Sequence, residues 1–250
     1  IVDMRVNPSY ENLFRKINSF RPEMIGLTSM SKESKTAYKL IGMIKAKYPN
    51  VPIVIGGAHS STMPEDILKE TKADYILYGE AEYTALELAN GIQLEKINGL
   101  IWRNKKGDII KNPARDYIED LDSLPFPAYS LYDLDKYLDK KIRMVTSRGC
   151  PYKCTFFSIH LLMGYKFRTR SPENVLAEIK HWYNQGFREF QFTDDNLTQD
   201  MKRAEKIFDL IIQSGMKIRF DIRNGLRVDK VNDTLLRKMR KAGCHFIAYA

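Results

Sequence analysis

The amino-acid sequence predicts an α/β protein in two parts: a Rossmann-like, doubly wound sheet followed by a partial TIM-like β/α barrel. Three observations lead there. Short apolar runs alternate with amphipathic helical segments along almost all of the 250 residues, and strand–helix alternation implies parallel strands joined by right-handed crossovers. Near the middle, Leu124-Pro125-Phe126-Pro127 breaks the alternation, because two prolines so close forbid helix and central strand. On both sides the strand-like runs end in loops rich in Gly, Ser or acid, where α/β sheets place their ligands.

Residues 1–6, IVDMRV, read as a short apolar strand. Residues 9–20 carry Leu13, Phe14 and Ile17 at helical spacing behind Ser9 as a cap. Residues 24–30 read as a buried strand, and 35–48 as a helix with Leu40, Ile41 and Ile44 inward, closed by Pro49. The strand 51–55 runs into Gly56-Gly57; a short helix from Pro64 leads to the strand 74–78, then Gly79-Glu80 and a helix over 83–90. Residues 99–111 alternate about a polar turn as a β-hairpin does. The first domain is thus placed at 1–111 and an interdomain linker, its aromatics anchoring it to one side, at 112–140; the second domain is placed at 141–250.

There 143–146 read as a strand that opens into a cysteine loop. Ser171-Pro172-Glu173 starts a helix: Ser as cap, Pro in the first turn, an acid near the positive helix end. Val175, Ile179 and Trp182 make its buried stripe. A strand at 187–192, a helix at 200–214 with Ala204, Phe208 and Ile211 inward, a strand at 217–222, a helix at 233–242 and a strand at 245–250 complete the pattern. The chain starts within a strand and stops on an apolar one at an open edge, which folded proteins avoid. Both ends are therefore expected to be cut from a longer protein.

The net charge of +9 arises from Lys and Arg interleaved with Asp and Glu, so it reads as a solvated exterior and nucleic acid is not expected as a partner. No apolar run reaches the ~18 residues of a membrane span, and no signal pattern opens the chain. Three cysteines, an odd number, argue for a reducing cytoplasm over a secreted disulfide framework.

Two of them, Cys150 and Cys154, stand in Ser147-Arg148-Gly149-Cys150-Pro151-Tyr152-Lys153-Cys154-Thr155-Phe156. Cysteines this close suggest a metal or cluster site, and iron–sulfur clusters need thiolates on a short irregular loop. The run resembles the loop of radical S-adenosylmethionine enzymes, Cys-x-x-x-Cys-x-aromatic-Cys, residue for residue up to the third ligand position. That position is Phe157, whose ring has no lone pair for iron. Cys244 precedes the fourth strand at the barrel floor; a strand spans ~20 Å against a metal–sulfur bond of ~2.3 Å, so Cys244 reads as a small buried apolar residue. His160, on the same loop, is a candidate ligand.

In the resembled family a reduced 4Fe–4S cluster cleaves S-adenosylmethionine to a 5′-deoxyadenosyl radical. The resemblance implies Cys150 and Cys154 as metal ligands, Phe156 beside the adenine, Asp194 and Asp195 around the methionyl ammonium, and Arg223 at the ribose or carboxylate. For the Asp pair, capping of the next helix is the plainer reading. The strand ends of the first domain resemble a cobalamin-binding domain: Thr28-Ser29-Met30 in place of its Ser-x-Leu element, Gly56-Gly57 matching its Gly-Gly element, and Gly79-Glu80 at the third end. A tight turn is the plainer reading of Gly-Gly alone. The family's Asp-x-His-x-x-Gly loop would follow a first strand missing here, and His59 reads as an ordinary loop or supporting histidine.

The resemblance implies a cobalamin-dependent radical S-adenosylmethionine enzyme of methyltransferase or magnesium-protoporphyrin ester cyclase type, impaired by Phe157. Its cofactors would be a 4Fe–4S cluster, S-adenosylmethionine and cobalamin, with a small-molecule substrate and an external electron donor of flavodoxin or ferredoxin type. The alternative is a non-catalytic relative that keeps cobalamin or adenosine recognition. An RNA methylthiotransferase would use the positive charge, but those enzymes carry cluster cysteines in the first domain, and here no Cys precedes Cys150.

Overall fold

The computed structural model describes residues 1–155 and 157–249, which divide into two units, each discontinuous in sequence. One unit comprises Tyr10–Ile118 and Lys153–Gly164, the other Ile1–Ser9, Glu119–Tyr152 and Tyr165–Ala250.

The first unit runs α1 (Tyr10–Phe20), β1 (Ile25–Thr28), α2 (Ser34–Lys47), β2 (Ile53–Gly56), α3 (Ala58–Thr62), α4 (Pro64–Glu70), β3 (Tyr75–Leu77), α5 (Glu82–Ala89), β4 (Leu100–Arg103) and β5 (Ile109–Lys111). Its sheet has the order β1-β2-β3-β4-β5. The first three strands are parallel, with Leu27 beside Ile55 and Val54 beside Tyr75. β3, β4 and β5 pair antiparallel. Side chains alternate across a strand, and Ile53 and Ile55 accordingly share a buried face, as do Leu40, Ile41 and Ile44 on α2. The expected hairpin is β4–β5: the Asn104 side chain accepts from the Lys106 and Asp108 amides, both at 2.9 Å, and shapes the turn.

The second unit holds β6 (Ile142–Met144), β7 (Ser147–Arg148), β8 (Arg168–Thr169), α7 (Pro172–Asn184), β9 (Glu189–Phe192), α8 (Met201–Gln213), β10 (Arg219–Leu226), α9 (Asp233–Ala242) and β11 (Cys244–Tyr249); the short α6 (Ile159–Met163) falls in the first unit. Strands β6, β9, β10 and β11 are parallel and neighbours in sequence order, the arrangement of the first four strands of a β/α barrel. Ser171, Asp200 and Asn232 cap α7, α8 and α9 by accepting from backbone amides. Ile142, Met144, Phe190, Phe192, Phe220 and Ile222 pack with Val175, Ile179, Trp182, Ala204, Phe208 and Ile211 into one buried core. Within it Phe208 stacks on Phe220 at 5.5 Å, and Phe192 meets Phe220 edge-on at 5.1 Å. Period two then puts Arg143, Gln191 and Asp221, neighbours in register, on the other face. Arg143 Nε donates to Gln191 Oε1 at 3.0 Å and Lys141 Nζ to Asp221 at 2.6 Å. Tyr129, from the proline-rich stretch, packs edge-on against Trp182 at 5.6 Å and donates its hydroxyl to the Arg143 carbonyl at 2.7 Å.

Three local expectations are corrected. Residues 1–6 hold a turn at 4–6 and no strand: the Val6 and Asn7 amides both donate to the Asp3 carbonyl, while the Asp3 side chain accepts from Arg5 and from the Tyr137 hydroxyl. His59 lies on the short helix α3 and is buried, not on a loop. β10 runs four residues beyond its expected end at Ile222. Its pairing with β9 does stop there, but after a register shift Leu226 pairs with Tyr249 of β11. No helix among the described residues is long and apolar enough to cross a membrane.

Candidate functional site

In the barrel unit the root of the cysteine loop is held by buried charges. Leaving β6, the chain makes a two-residue antiparallel ladder, β7 with β8, in which Ser147 faces Thr169 and Arg148 faces Arg168. The Arg170 amide extends it to the Thr146 carbonyl at 2.9 Å. Asp194, immediately beyond β9, turns one carboxylate oxygen onto this root, accepting from the Thr146 amide (3.1 Å), the Thr146 hydroxyl (2.7 Å) and the Ser147 hydroxyl. Arg203, on α8, donates to the Thr146 carbonyl at 2.7 Å and the Arg170 carbonyl at 2.8 Å. The Arg170 guanidinium reaches the Val145 carbonyl at 3.1 Å and is backed by the buried Glu178 carboxylate. None of Thr146, Arg170, Glu178 and Arg203 stands out in the sequence, and Ser147 does so only as the first residue of the cysteine run: charged residues beside an apolar stripe look solvated, and a hydroxyl before a loop looks incidental.

Beyond Asp194 the same segment presents acceptors without donors. Asp194 Oδ2, Asn196 Oδ1 and Thr198 Oγ1 are all buried, and none has a hydrogen-bond partner among the described residues. Burial pushes the Asp194 carboxyl up, opposed by its hydrogen bonds from Ser147 and Thr146. Burial and then the charge of Asp194 push Asp195 up to about 6. Groups that lack donors in a dry setting cost free energy unless something supplies them, so this end of the sheet suits a ligand that carries N–H groups and positive charge. Asn224 Nδ2 ties the end of β10 to it through the Thr193 carbonyl at 2.7 Å. Arg223 is engaged elsewhere: its Nε donates to Asp221 at 3.0 Å, and its guanidinium lies 5.1 Å from the centre of the Phe246 ring.

In the first unit a chain of hydrogen bonds gathers three strand ends. The His59 amide donates to the Ser29 carbonyl at 3.3 Å. Ser61 Oγ donates to the Gly57 carbonyl at 3.2 Å and accepts from the Gly79 amide at 2.9 Å. Gly57 has φ +99°, and a Cβ there would meet Thr28 Oγ1 at 2.5 Å, so the turn after β2 needs glycine both for its backbone and for the space. Ser29 and Ser60 are buried, and their hydroxyls have no partner among the described residues. Met30 is exposed. Glu80 is buried and accepts from the Ile118 amide at 2.7 Å, pinning that segment. Both ring nitrogens of His59 are in use, one with Tyr38 Oη at 2.7 Å and the other with Ser31 Oγ at 3.2 Å.

The boundary between the units falls inside the cysteine loop, after Tyr152. The Arg227 guanidinium stacks 3.9 Å from the Tyr152 ring centre. Cys150 and Cys154 are half-buried free thiols, Cys244 is buried, and Phe157 is 52% exposed. Phe156, expected beside the adenine, lies outside the described residues.

Comparison with known proteins gives this arrangement a family. The B12 binding domain model matches residues 1–89 and the Radical SAM superfamily model residues 144–249. An uncharacterised methyltransferase of Pyrococcus horikoshii is 32% identical over 251 residues, covering 96% of this chain and 54% of that protein. The chain belongs to the cobalamin-binding radical S-adenosylmethionine proteins. An anaerobic magnesium-protoporphyrin IX monomethyl ester cyclase of Rubrivivax gelatinosus is 27% identical over 259 residues, 97% of this chain and 46% of the relative. The fold matches the cobalamin-dependent S-adenosylmethionine radical enzyme OxsB, solved with aqua-cobalamin and S-adenosylmethionine bound, with a TM-score of 0.82 and 22% identity over 98% of this chain and 38% of that one. The chain spans about half the length of the curated relatives it matches.

Against that family the residues fit two groups and not a third. The unpartnered Ser29 and Ser60 hydroxyls beside the turn at Gly57 suit a large flat ligand rimmed with amides, as cobalamin is. The buried acceptors after β9 suit the ammonium of S-adenosylmethionine. The cysteine loop does not fit a cluster held by three thiolates: Phe157 stands at the third position, and no set of three His, Cys, Asp or Glu side chains among the described residues is placed to hold a metal ion.

Proposed function

We propose that this chain is the cofactor-binding portion of a cobalamin-dependent radical S-adenosylmethionine enzyme of methyltransferase or cyclase type, acting on a small molecule, whose radical chemistry is impaired by Phe157. The observation that carries the reading is the succession of buried, unpartnered oxygens on Asp194, Asn196 and Thr198, in the segment beyond β9 of the barrel unit that also anchors the root of the cysteine loop. Cobalamin, when bound, supplies a transferable methyl group. Asp195 and the unpartnered, buried Oδ2 of Asp194 would hold the methionyl ammonium by charge and hydrogen bonding. In the first unit Gly57 would let a flat ring approach the backbone, with Ser29 and Ser60 as donors to its rim. Cys150 and Cys154 supply two thiolates where the family uses three, so iron–sulfur assembly is expected to be defective. An external electron donor and a cytoplasmic setting belong to the same proposal.

The specific feature of Phe157 favours a second reading, a non-catalytic relative that retains cobalamin or S-adenosylmethionine recognition. One experiment separates the two. The parent and a Phe157→Cys variant are reconstituted anaerobically with iron and sulfide, followed by iron counting, electron paramagnetic resonance and assay of S-adenosylmethionine cleavage. Low iron in the parent and ~4 irons with cleavage in the variant support an impaired enzyme. Ligand binding without cleavage by either protein supports the second reading. A full cluster and cleavage in the parent overturn the impairment. Hydroxocobalamin added to folded protein should shift its visible bands, and no shift removes cobalamin from the proposal.

A further inference from the structure

We propose that Asp194, Arg203 and Arg170 act together as positioning residues, a buried clasp that sets the direction in which Cys150 leaves the sheet. The three come from separate places: the end of β9, the first turn of α8, and the link between β8 and α7. They converge on three consecutive residues. Asp194 takes the Thr146 amide and both the Thr146 and Ser147 hydroxyls; Arg203 and the Arg170 amide share the Thr146 carbonyl; the Arg170 guanidinium takes the Val145 carbonyl. Backbone donors and acceptors at this root are therefore tied from both sides.

Such an arrangement is expensive for mere packing. Arg170, Glu178, Asp194 and Arg203 are all at least nine-tenths buried, and buried charges are unfavourable unless hydrogen-bonded at good geometry. Apolar residues or a plain helix cap would close the core at lower cost. What charged groups add is direction, because charge-assisted bonds are short and angularly demanding. The root they orient lies only a few residues before Cys150. Among the described residues the hydrogen bonds of Arg203 end on the Thr146 and Arg170 carbonyls, and those of the Arg170 guanidinium on Val145, Asn174 and Glu178, so both reach the loop through Val145 and Thr146.

The inference rests on reading residues 150–157 as the functional loop, but its test uses no iron, cobalamin or S-adenosylmethionine, so its failure is distinct from failure of that reading. In the full chain, Arg203→Ala and Arg203→Lys are compared with the parent by amide hydrogen exchange at Thr146 and by the alkylation rates of Cys150 and Cys244, measured by mass spectrometry. Arg203→Ala should speed exchange of the Thr146 amide by ~10–100-fold, because the opening that frees this amide from Asp194 no longer has to break the Arg203 bond to the Thr146 carbonyl, a hydrogen bond to a charged group. It should also change the Cys150 rate, while Cys244 stays protected, and Arg203→Lys should restore part of both effects. If Cys244 becomes reactive in Arg203→Ala, the fold itself has opened, and Ser147→Ala, which removes one contact to Asp194, takes over with the same readouts. A Cys150 rate unchanged in whichever of these variants stays folded overturns the clasp, as does loss of protection that the lysine leaves wholly unrepaired.

Discussion

Replacing Asp195 by Asn should make the protein more stable near neutral pH while weakening its hold on a cationic ligand. Burial first, and then the neighbouring charge of Asp194, push the Asp195 carboxyl from 3.8 to about 6. Each tenfold change in proton affinity is worth about 1.4 kcal/mol, so ionised Asp195 costs the folded barrel unit on the order of 3 kcal/mol or less. The sign follows from which state holds the proton more tightly. Between pH 3.8 and about 6 the folded chain keeps a proton that the unfolded chain has released. Stability is therefore lost as pH rises through that window, and the full cost is present above it. The Asn variant has no such proton, so its advantage should be ~1–3 kcal/mol at about pH 7 and should vanish near pH 4. Urea denaturation followed by Trp182 fluorescence measures this. The other tryptophan, Trp102, belongs to the first unit, so a Trp102→Phe background makes the signal report the barrel unit alone. Titration of the same proteins with S-adenosylmethionine gives the second readout. A variant no more stable than its parent near pH 7, or one whose advantage is the same at both pH values, refutes the reasoning.

Other perturbations have equally definite outcomes. Gly57→Ala should lower the stability of the first unit by ~1–3 kcal/mol, since φ is +99° and the new methyl meets Thr28 Oγ1 at 2.5 Å; Thr28→Ala should recover only part of the loss in a thermal melt, because the backbone strain stays. Phe220→Ala removes the ring shared by Phe192 and Phe208 and should cost ~3–5 kcal/mol in chemical denaturation. Cys244, buried with its thiol pushed up to about 11, should remain unalkylated in the native chain near pH 8 while Cys150 and Cys154 react; labelling of Cys244 at a comparable rate would show that β11 is not packed as described.

Apolar periodicity made most of the fold legible in the sequence, because burial of Val175, Ile179 and Trp182 on α7, or of Ile53 and Ile55 on β2, needs only the spacing of greasy side chains. The capping serine at Ser171 was legible for the same reason: its chemistry is local. Illegible features depended on partners distant in sequence. IVDMRV has the composition of a strand, but the carboxylate and carbonyl of Asp3 close a turn, and Tyr137 secures it from far along the chain. β10 outruns its apolar pattern because β11 keeps pairing with it past Arg223-Asn224-Gly225. In the candidate site, the acids after β9 were legible as a pair, whereas their unequal surroundings were not: Asp194 is wrapped by hydroxyls contributed by Thr146 and Ser147, and Asp195 has no such wrapping among the described residues. Arg203 was the hardest to foresee, since a lysine-and-arginine-rich helical turn normally faces water and this one sends one member inward.

The small ladder of β7 with β8 closes the neck of the excursion that carries Cys150, Cys154 and Phe157. Within the excursion, residues 153–164 belong to the first unit and not to the barrel unit that holds the ladder. Phe157, 52% exposed, stands outside the buried core, so a change of side chain there is expected to leave the core's packing unchanged. Good expression and a sharp melting transition would thus say nothing about whether a protein built this way can still do chemistry.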